Sequence, residues 1–505
     1  MKKFLHIILV TLLAASCSGF LDIRPEGTNT SEGMDYSKAE NVFKPVSAAY
    51  AVLRSYDVVG FPFICLQEIT SDDADKGSTP EDGPEALAMD TFTYDATNSL
   101  INSQWVGYFN IISAANNALY QMGIFRENIQ NAQVLSDIRI CEADARFLRG
   151  FAYFNLVRLF GGVPIVDKVM TAEELATLER PRPVRVWEFI EADFQDAIDI
   201  LPASWTKTYA GRATKYTAMA YKAKAHLYQG EYAECVTLCD EIIASKPYSI
   251  IGDFRYVFSM DGELCRESVF EVQVSELGMN DGDGVPYSEH AYVQGPRGNS
   301  PTNMQGWGFC TPSEELIAFF NGRGEKATPV DLSDLSELSI RPATTLLYSG
   351  STTPEGDKIL ESCPNPVYNG KVYTPSSYNI WRFNGYGFGH NIRLMRYPDI
   401  LLMYAECIAR GAAPSGFSGY SADMALNEVR TRAGLPYAEA TLENILDERH
   451  AEFALEEDRF FDLVRTGQAA TVLAGKGFTS GKNELFPIPS AQRQLNPNLG
   501  QNPGY

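Results

Sequence analysis

Apolar residues recur every third or fourth position over most of this chain, the spacing of a helix with one buried face. The pattern predicts helices over residues 40–54, 103–123, 133–160, 184–201 and 214–244. Pro164, behind Gly161 and Gly162, stops the third, and Pro202 stops the fourth. Further helical patterns cover 399–410, 422–433 and the charge-dense stretch 446–465.

Within 214–244, small alanines stand at 218, 220, 223 and 225, followed by a turn at Gly230 and a second helix from Ala233. Small residues let two helices approach closely, so the segment reads as a tetratricopeptide-like helix pair. Residues 399–410 with 422–433 make a second pair, separate from the first along the sequence. The expected fold is therefore mainly α, with tetratricopeptide-like helix pairs, long irregular loops and a few short strands.

Two stretches break the helical pattern. Residues 277–310 hold seven glycines and three prolines, yet also Tyr287, Tyr292, Trp307 and Phe309. Long loops in compact proteins are functional or disordered, and aromatic content speaks against disorder. Thr311-Pro312-Ser313-Glu314 then reads as a capping box with proline at the first helical position, fixing the end of the loop. Residues 349–389 carry Tyr368, Tyr373, Tyr378, Trp381, Phe383, Tyr386 and Phe388, and their end is expected to pair as a hairpin.

The first residues change the picture from fold to address. Lys2 and Lys3, an apolar run from Phe4 to Ala15 and Ser16-Cys17 form a secretory signal, too short to span a bilayer. A cysteine directly behind small residues marks a lipoprotein signal, although Leu13 sits four residues ahead of it rather than three. The expected division is a signal over 1–16, a lipid-anchored tether over 17–41 and a binding body over 42–505. The formal charge is −22, or −24 once Lys2 and Lys3 leave with the signal. Such acidity excludes nucleic acid and electrostatic adhesion to anionic lipid as functions.

Candidate chemistry is sparse. The five histidines are scattered and form no HExxH pair, and no P-loop, nucleophile elbow or dinucleotide fingerprint occurs. Asp281-Gly-Asp283-Gly begins like a calcium loop, but Val285 breaks the pattern, so it reads as a turn and no metal or cofactor is expected. Cys235 and Cys239 share a helix face without further ligands nearby; with Cys141 and Cys407 they read as buried thiols. Residues 446–465 interleave carboxylates with arginines and phenylalanines, the pattern of an ion-paired helix on a core rather than of two carboxylates facing a sugar. The aromatic loop is the stronger candidate, because flat rings stack on sugar faces while polar side chains bond the hydroxyls.

In order along the chain stand Cys17-Ser-Gly-Phe-Leu-Asp, Trp105 to Asn116, Ala145-Arg-Phe-Leu-Arg through Leu159-Phe-Gly-Gly-Val-Pro164, Gly211-Arg-Ala-Thr, and Arg396-Tyr-Pro-Asp-Ile-Leu-Leu-Met-Tyr-Ala-Glu406. Leu426-Asn-Glu-Val-Arg-Thr-Arg-Ala-Gly-Leu435, Glu448-Arg through Arg459-Phe-Phe-Asp-Leu-Val-Arg465, and Leu485-Phe-Pro-Ile-Pro follow, and Gln501-Asn-Pro-Gly-Tyr505 closes the chain. Over nearly its whole length the chain thus resembles the SusD/RagB family of outer-membrane nutrient-binding lipoproteins. The resemblance implies a non-catalytic lid on a SusC-type TonB-dependent transporter that captures oligosaccharides or, in some members, peptides. It implies lipid on Cys17 and a cell-surface position in the outer membrane. It also implies a ligand site drawn from two places. Trp307, Tyr292 and Tyr287 would supply rings from the long loop; Asp72, Asp73 and Lys76 would supply polar groups from residues 72–90, where the starch-binding member has a tryptophan and this chain has none.

A Cys17→Ser protein should lose its lipid label and leave the membrane fraction while still binding ligand in solution. Metabolic labelling with palmitate, followed by fractionation, reads both.

Overall fold

The computed structural model describes residues 34–274, 289–299, 306–378 and 389–505. Cys17, Tyr287, the Asp281–Val285 turn and the hairpin expected at 379–388 lie outside these residues, as does the side chain of Tyr378.

The helices begin where short polar side chains can take up the free N–H groups of a first turn. α1 spans Lys44–Val52 with proline at its second position. α2 (Ser99–Asn128) is capped by Asn98 and α3 (Ala132–Phe160) by Asn131. α3 ends at Gly161, whose φ of +73° suits glycine. α4 spans Pro183–Ile200. α5 (Lys215–Gln229) starts on a reciprocal Thr214–Thr217 pair and stops at left-handed Gly230, and α6 (Tyr232–Ser245) follows. After a short helix α7 (His290–Gln294) come α8 (Glu314–Gly322), α9 (Tyr397–Ala409), α10 (Ala422–Arg432), α11 (Leu442–Phe453) and α12 (Arg459–Arg465).

The fold is mainly α, with the tetratricopeptide-like pairs in contact. α2 packs on α3, α3 on α4, α4 on α5, α5 on α6, α6 on α9, and α9 on α10 and α11. Two pairs some 150 residues apart in sequence are thus neighbours in space, with the loop-rich segment inserted between them. The helix faces bury a continuous apolar core that includes Phe147, Phe154, Tyr221, Met403 and Leu426.

Among the described residues, three two-stranded antiparallel ladders tie the loops down. β1 (Ala74–Gly77) pairs with β3 (Phe309–Pro312), β2 (Ser268–Val272) with β6 (Ile392–Arg396), and β4 (Leu346–Tyr348) with β5 (Val367–Asn369). Gly77 is required in the first: its φ is +68° and a Cβ there would lie 2.5 Å from the Gly308 carbonyl oxygen.

Two sequence expectations are corrected. The cap of α8 is Ser313, whose Oγ accepts from the Leu316 N–H, while Thr311 and Pro312 end β3. Strand pairing to Ala74 and Asp75 has claimed the two residues that the local pattern assigned to a helix start. The single helix expected over 446–465 is two, α11 and α12, broken where Leu455 and Glu457 take φ values of +63° and +62°. Tertiary hydrogen bonds outweigh helical periodicity there. The eight described cysteines are unpaired, and all but the half-buried Cys265 are buried.

The charges read as an ion-paired helix form a buried lattice. Arg396 bonds Glu267, Glu452 and Glu456 at 2.7–2.8 Å. Glu452 also meets Arg432 and Arg341, and Glu448 meets Arg341, Arg323 and Arg430. Arg449 holds Asp399, Asp458 and Asp462. Arg465 bonds Glu406 at 2.6 Å. Burial works to raise the Glu452 carboxyl, but Arg432, Arg396 and Arg341 outweigh it and bring the pKa to about 2. A carboxylate depressed from its ordinary 4.5 stabilises the fold above that value and loses the contribution as the pH falls toward 2. The shift corresponds to about 3 kcal/mol, and Glu406, also at about 2 beside Arg465, adds to it. Denaturation midpoints should therefore drop steeply between pH 4.5 and 2. Glu452→Gln should remove about 3–5 kcal/mol at neutral pH by leaving its arginines buried without that charge. Denaturant titration measures both; an unchanged midpoint in either experiment would contradict the lattice's role.

Candidate functional site

The two places expected to supply ligand contacts are joined by the β1–β3 ladder. Ala74 faces Pro312, Asp75 faces Thr311 and Gly77 faces Phe309. Beyond the last pair, the Ser78 N–H donates to the Gly308 carbonyl at 2.5 Å, which places Ser78 beside Trp307. At the other end the Ser313 N–H donates to the Asp73 carbonyl at 2.9 Å. The four residues of β1 lie between Asp73 and Ser78, about 13 Å of strand.

The ladder therefore divides the five described candidates. Trp307 is half-buried; its ring meets Tyr292 edge-to-face at 5.7 Å and its N–H donates to the Tyr292 carbonyl at 3.1 Å. Tyr292 is buried on α7 and packs in a small apolar cluster with Leu347, Ile359, Tyr368 and Tyr373. Asp72 and Asp73 lie at the far end. Arg459 takes both Asp72 oxygens at 2.7 and 2.8 Å. Burial acts to raise the Asp72 pKa, and the Arg459 bonds and charge reverse that to hold it below the usual range. Asp73 is fully enclosed, with Oδ1 2.5 Å from His450 Nε2. The Lys76 ammonium is buried and donates to the carbonyls of Thr79 and Asp82 at 2.7 and 2.9 Å, so it staples the loop after β1.

The polar groups that do stand beside Trp307 are ones the sequence did not single out. Arg297 forms an isolated bridge with Gly306 and bonds the Ser78 hydroxyl at 2.9 Å and the Asp82 carboxylate. Hydrogen bonds from Ser78 first, and the Arg297 charge with them, hold Asp82 below its ordinary pKa. The Asn365 amide reaches the carbonyls of Ser78 and Gly308 at 3.3 and 3.5 Å. Arg297 and Asp82 are only partly buried, so both can turn to a ligand. A single arginine flanked by Pro296 and Gly298 inside an aromatic loop was the available signal. Asn365, 68 residues further on, gave none.

Asp72, Asp73 and His450 also offer oxygen and nitrogen atoms within 4.8 Å of one another. Arg459 already occupies both Asp72 oxygens, and His450 is clamped between Asp73 and the Phe319 ring, whose centroid lies 3.8 Å away. A guanidinium supplies the positive charge that a metal ion would bring, so these residues fit a buried ion pair better than a metal centre. No pair of facing carboxylates stands free beside Trp307 among the described residues; Asp82 is engaged by Arg297. The arrangement offers stacking and hydrogen bonding.

A helical body with a partly buried tryptophan beside a hydrogen-bonding loop is a candidate ligand-binding architecture. Comparison with known proteins gives its family. The model of the SusD family matches residues 266–505, and a second, described as starch-binding associating with outer membrane, matches 61–227. SusD-like protein P2 of Formosa agariphila is 25% identical over the full length of both chains. A SusD-like protein of Bacteroides ovatus is 23% identical over 92% of this chain and 82% of its own. Among solved structures, a laminarin-binding SusD-like protein is 26% identical with a TM-score of 0.76, covering 92% of this chain and 99% of that one. Surface glycan-binding protein A of Bacteroides thetaiotaomicron, solved with laminarihexaose, shares the fold at 23% identity and TM-score 0.76 over 92% of this chain and 99% of its own. The chain belongs to the SusD-like family.

Proposed function

We propose that this protein captures oligosaccharides at the cell surface, anchored by lipid on Cys17, and delivers them to a SusC-type TonB-dependent transporter. The observation that carries the reading is the β1–β3 ladder, which sets Ser78 and Asp82 against the loop of Trp307 and Arg297. A half-exposed indole gives a sugar ring a flat apolar face, while a guanidinium, a carboxylate and an amide meet its hydroxyls. Trp307 stacks on the sugar, and Tyr292 props its ring from behind. Tyr287 is a further contact from the same loop. Asp72 and Asp73 hold the start of β1 through Arg459 and His450, and Lys76 holds the loop after it through the Thr79 and Asp82 carbonyls.

The names of the solved relatives support a β-glucan of the laminarin kind as the first ligand to test. Calorimetry with laminarihexaose should show binding by the wild type and a loss of about 1–3 kcal/mol in Trp307→Ala, by analogy with base stacking on aromatic rings. Arg297→Ala should weaken binding as well, with the melting temperature retained. Equal affinity of Trp307→Ala and wild type for whichever glycan binds would remove the site. Binding to a peptide panel and to no glycan would overturn the ligand class.

A further inference from the structure

The ring platform is footed on a distant part of the chain, the break between α11 and α12. Leu455 and Glu457 both occupy the left-handed region, where a side chain is strained, and both are buried. Neither is glycine, and strained backbone persists only where surrounding contacts over-determine it. The contacts that do so here can be named. The Glu457 N–H donates to Glu68 Oε2 at 2.6 Å. The Glu456 carboxylate is held by Lys371 at 2.6 Å and by Arg396 at 2.7 Å.

Two further contacts lead out of the break, and both lead to α7. Glu457 Oε1 lies 2.8 Å from His290 Nε2, with both side chains about 5% exposed. The Leu455 carbonyl accepts from Asn369 Nδ2 at 3.4 Å, and the same amide donates to Gln294 Oε1 at 2.8 Å. His290 and Gln294 are the first and last residues of α7. Between them is Tyr292, which carries Trp307 through its carbonyl and its ring. A five-residue helix has little stability of its own, so its attitude is set by what grips its ends.

We propose that the Leu455–Glu457 break is a positioning element for the ligand site: it grips α7 at both ends and thereby sets the angle at which Tyr292 presents the Trp307 ring. This rests on the reading of Trp307 as a ligand contact. Glu457 and Asn369 are positioning residues, since neither touches Trp307 in the contacts described. A break that served only to end a helix would need the backbone turn but not a buried carboxylate aimed at His290.

Glu457→Gly separates the two roles, because glycine tolerates the positive φ, keeps the N–H bond to Glu68 and deletes only the grip on His290. Asn369→Ala cuts the second grip independently. In ligand-free protein, amide hydrogen exchange over 290–294 and 306–308 should quicken at least tenfold in each folded variant, with α2 and α3 unchanged. Affinity for laminarihexaose should fall at least fivefold. Unchanged exchange over 290–294 in any folded variant overturns the proposal, and Asn369→Ala decides alone if Glu457→Gly fails to fold. Quickened exchange in a protein that binds no glycan even as wild type supports the grip and rejects the carbohydrate reading, so the two failures are distinct.

Discussion

Arg396 is the charge on which the rest depends. Its guanidinium is completely enclosed, yet it reaches Glu267 before β2, Glu452 on α11 and Glu456 in the break, while its own residue ends β6. Each of those carboxylates holds another cation: Glu267 and Glu452 hold Arg432 of α10, and Glu456 holds Lys371. Five parts of the chain separated by up to about 190 residues thus meet at one fork of five donors. A buried ion pair gains little net energy over a packed apolar pair, because both charges lose their water. It does penalise wrong partners heavily, since a misplaced helix would leave an uncompensated charge inside. We read the lattice as what fixes the register of the helix stack, while the apolar faces supply its cohesion.

That division explains which parts were legible in the sequence. The helix stack could be read from periodicity and punctuation, because Asn98, Asn131, Thr214, Ser421 and Thr441 act locally as caps. The motifs behind the family resemblance, from Arg396 to Glu406 and from Glu448 to Arg465, are the lattice itself. They identify the fold well, and within them His450 and Arg459 hold Asp73 and Asp72. Residues 446–465 were read rightly as ion-paired and wrongly as unbroken, since the bond from the Glu457 N–H to Glu68 spans 389 positions and has no local signature.

The ligand region was legible in composition but not in arrangement. Trp307 and Tyr292 stood out because aromatic residues are unusual in a glycine-rich loop, and the structure brings them together. Asp72, Asp73 and Lys76 were candidates because the family resemblance draws part of the site from residues 72–90, but alternation along β1 and the direction of the strand decide which can approach Trp307. That information is in the pairing partner, Phe309–Pro312, whose residues looked like the start of a helix. Arg297, Asp82 and Asn365 converge on Ser78 and Gly308: Arg297 bonds Ser78 and Asp82, and the Asn365 amide reaches the Ser78 and Gly308 carbonyls. No single segment displays that convergence.

Lattice and ligand loops are nevertheless one mechanical unit. Lys371 follows β5 and spends its ammonium on Glu456 and the Glu452 carbonyl, while Asn369, inside β5, bonds Gln294 of α7. The β4–β5 hairpin therefore rests on the charge lattice with one residue and steadies the aromatic platform with another. Glu456 and Glu457 divide the same labour in the break, one facing Arg396 and the next facing His290. Adjacent residues in a left-handed kink point to opposite partners, which is how a strained break can transmit the fixed geometry of the core to a short helix. A binding loop rich in glycine would otherwise lose much conformational entropy on ordering around a ligand. On the proposed reading, anchoring its aromatic residues to buried ion pairs meets part of that cost during folding, before any ligand arrives.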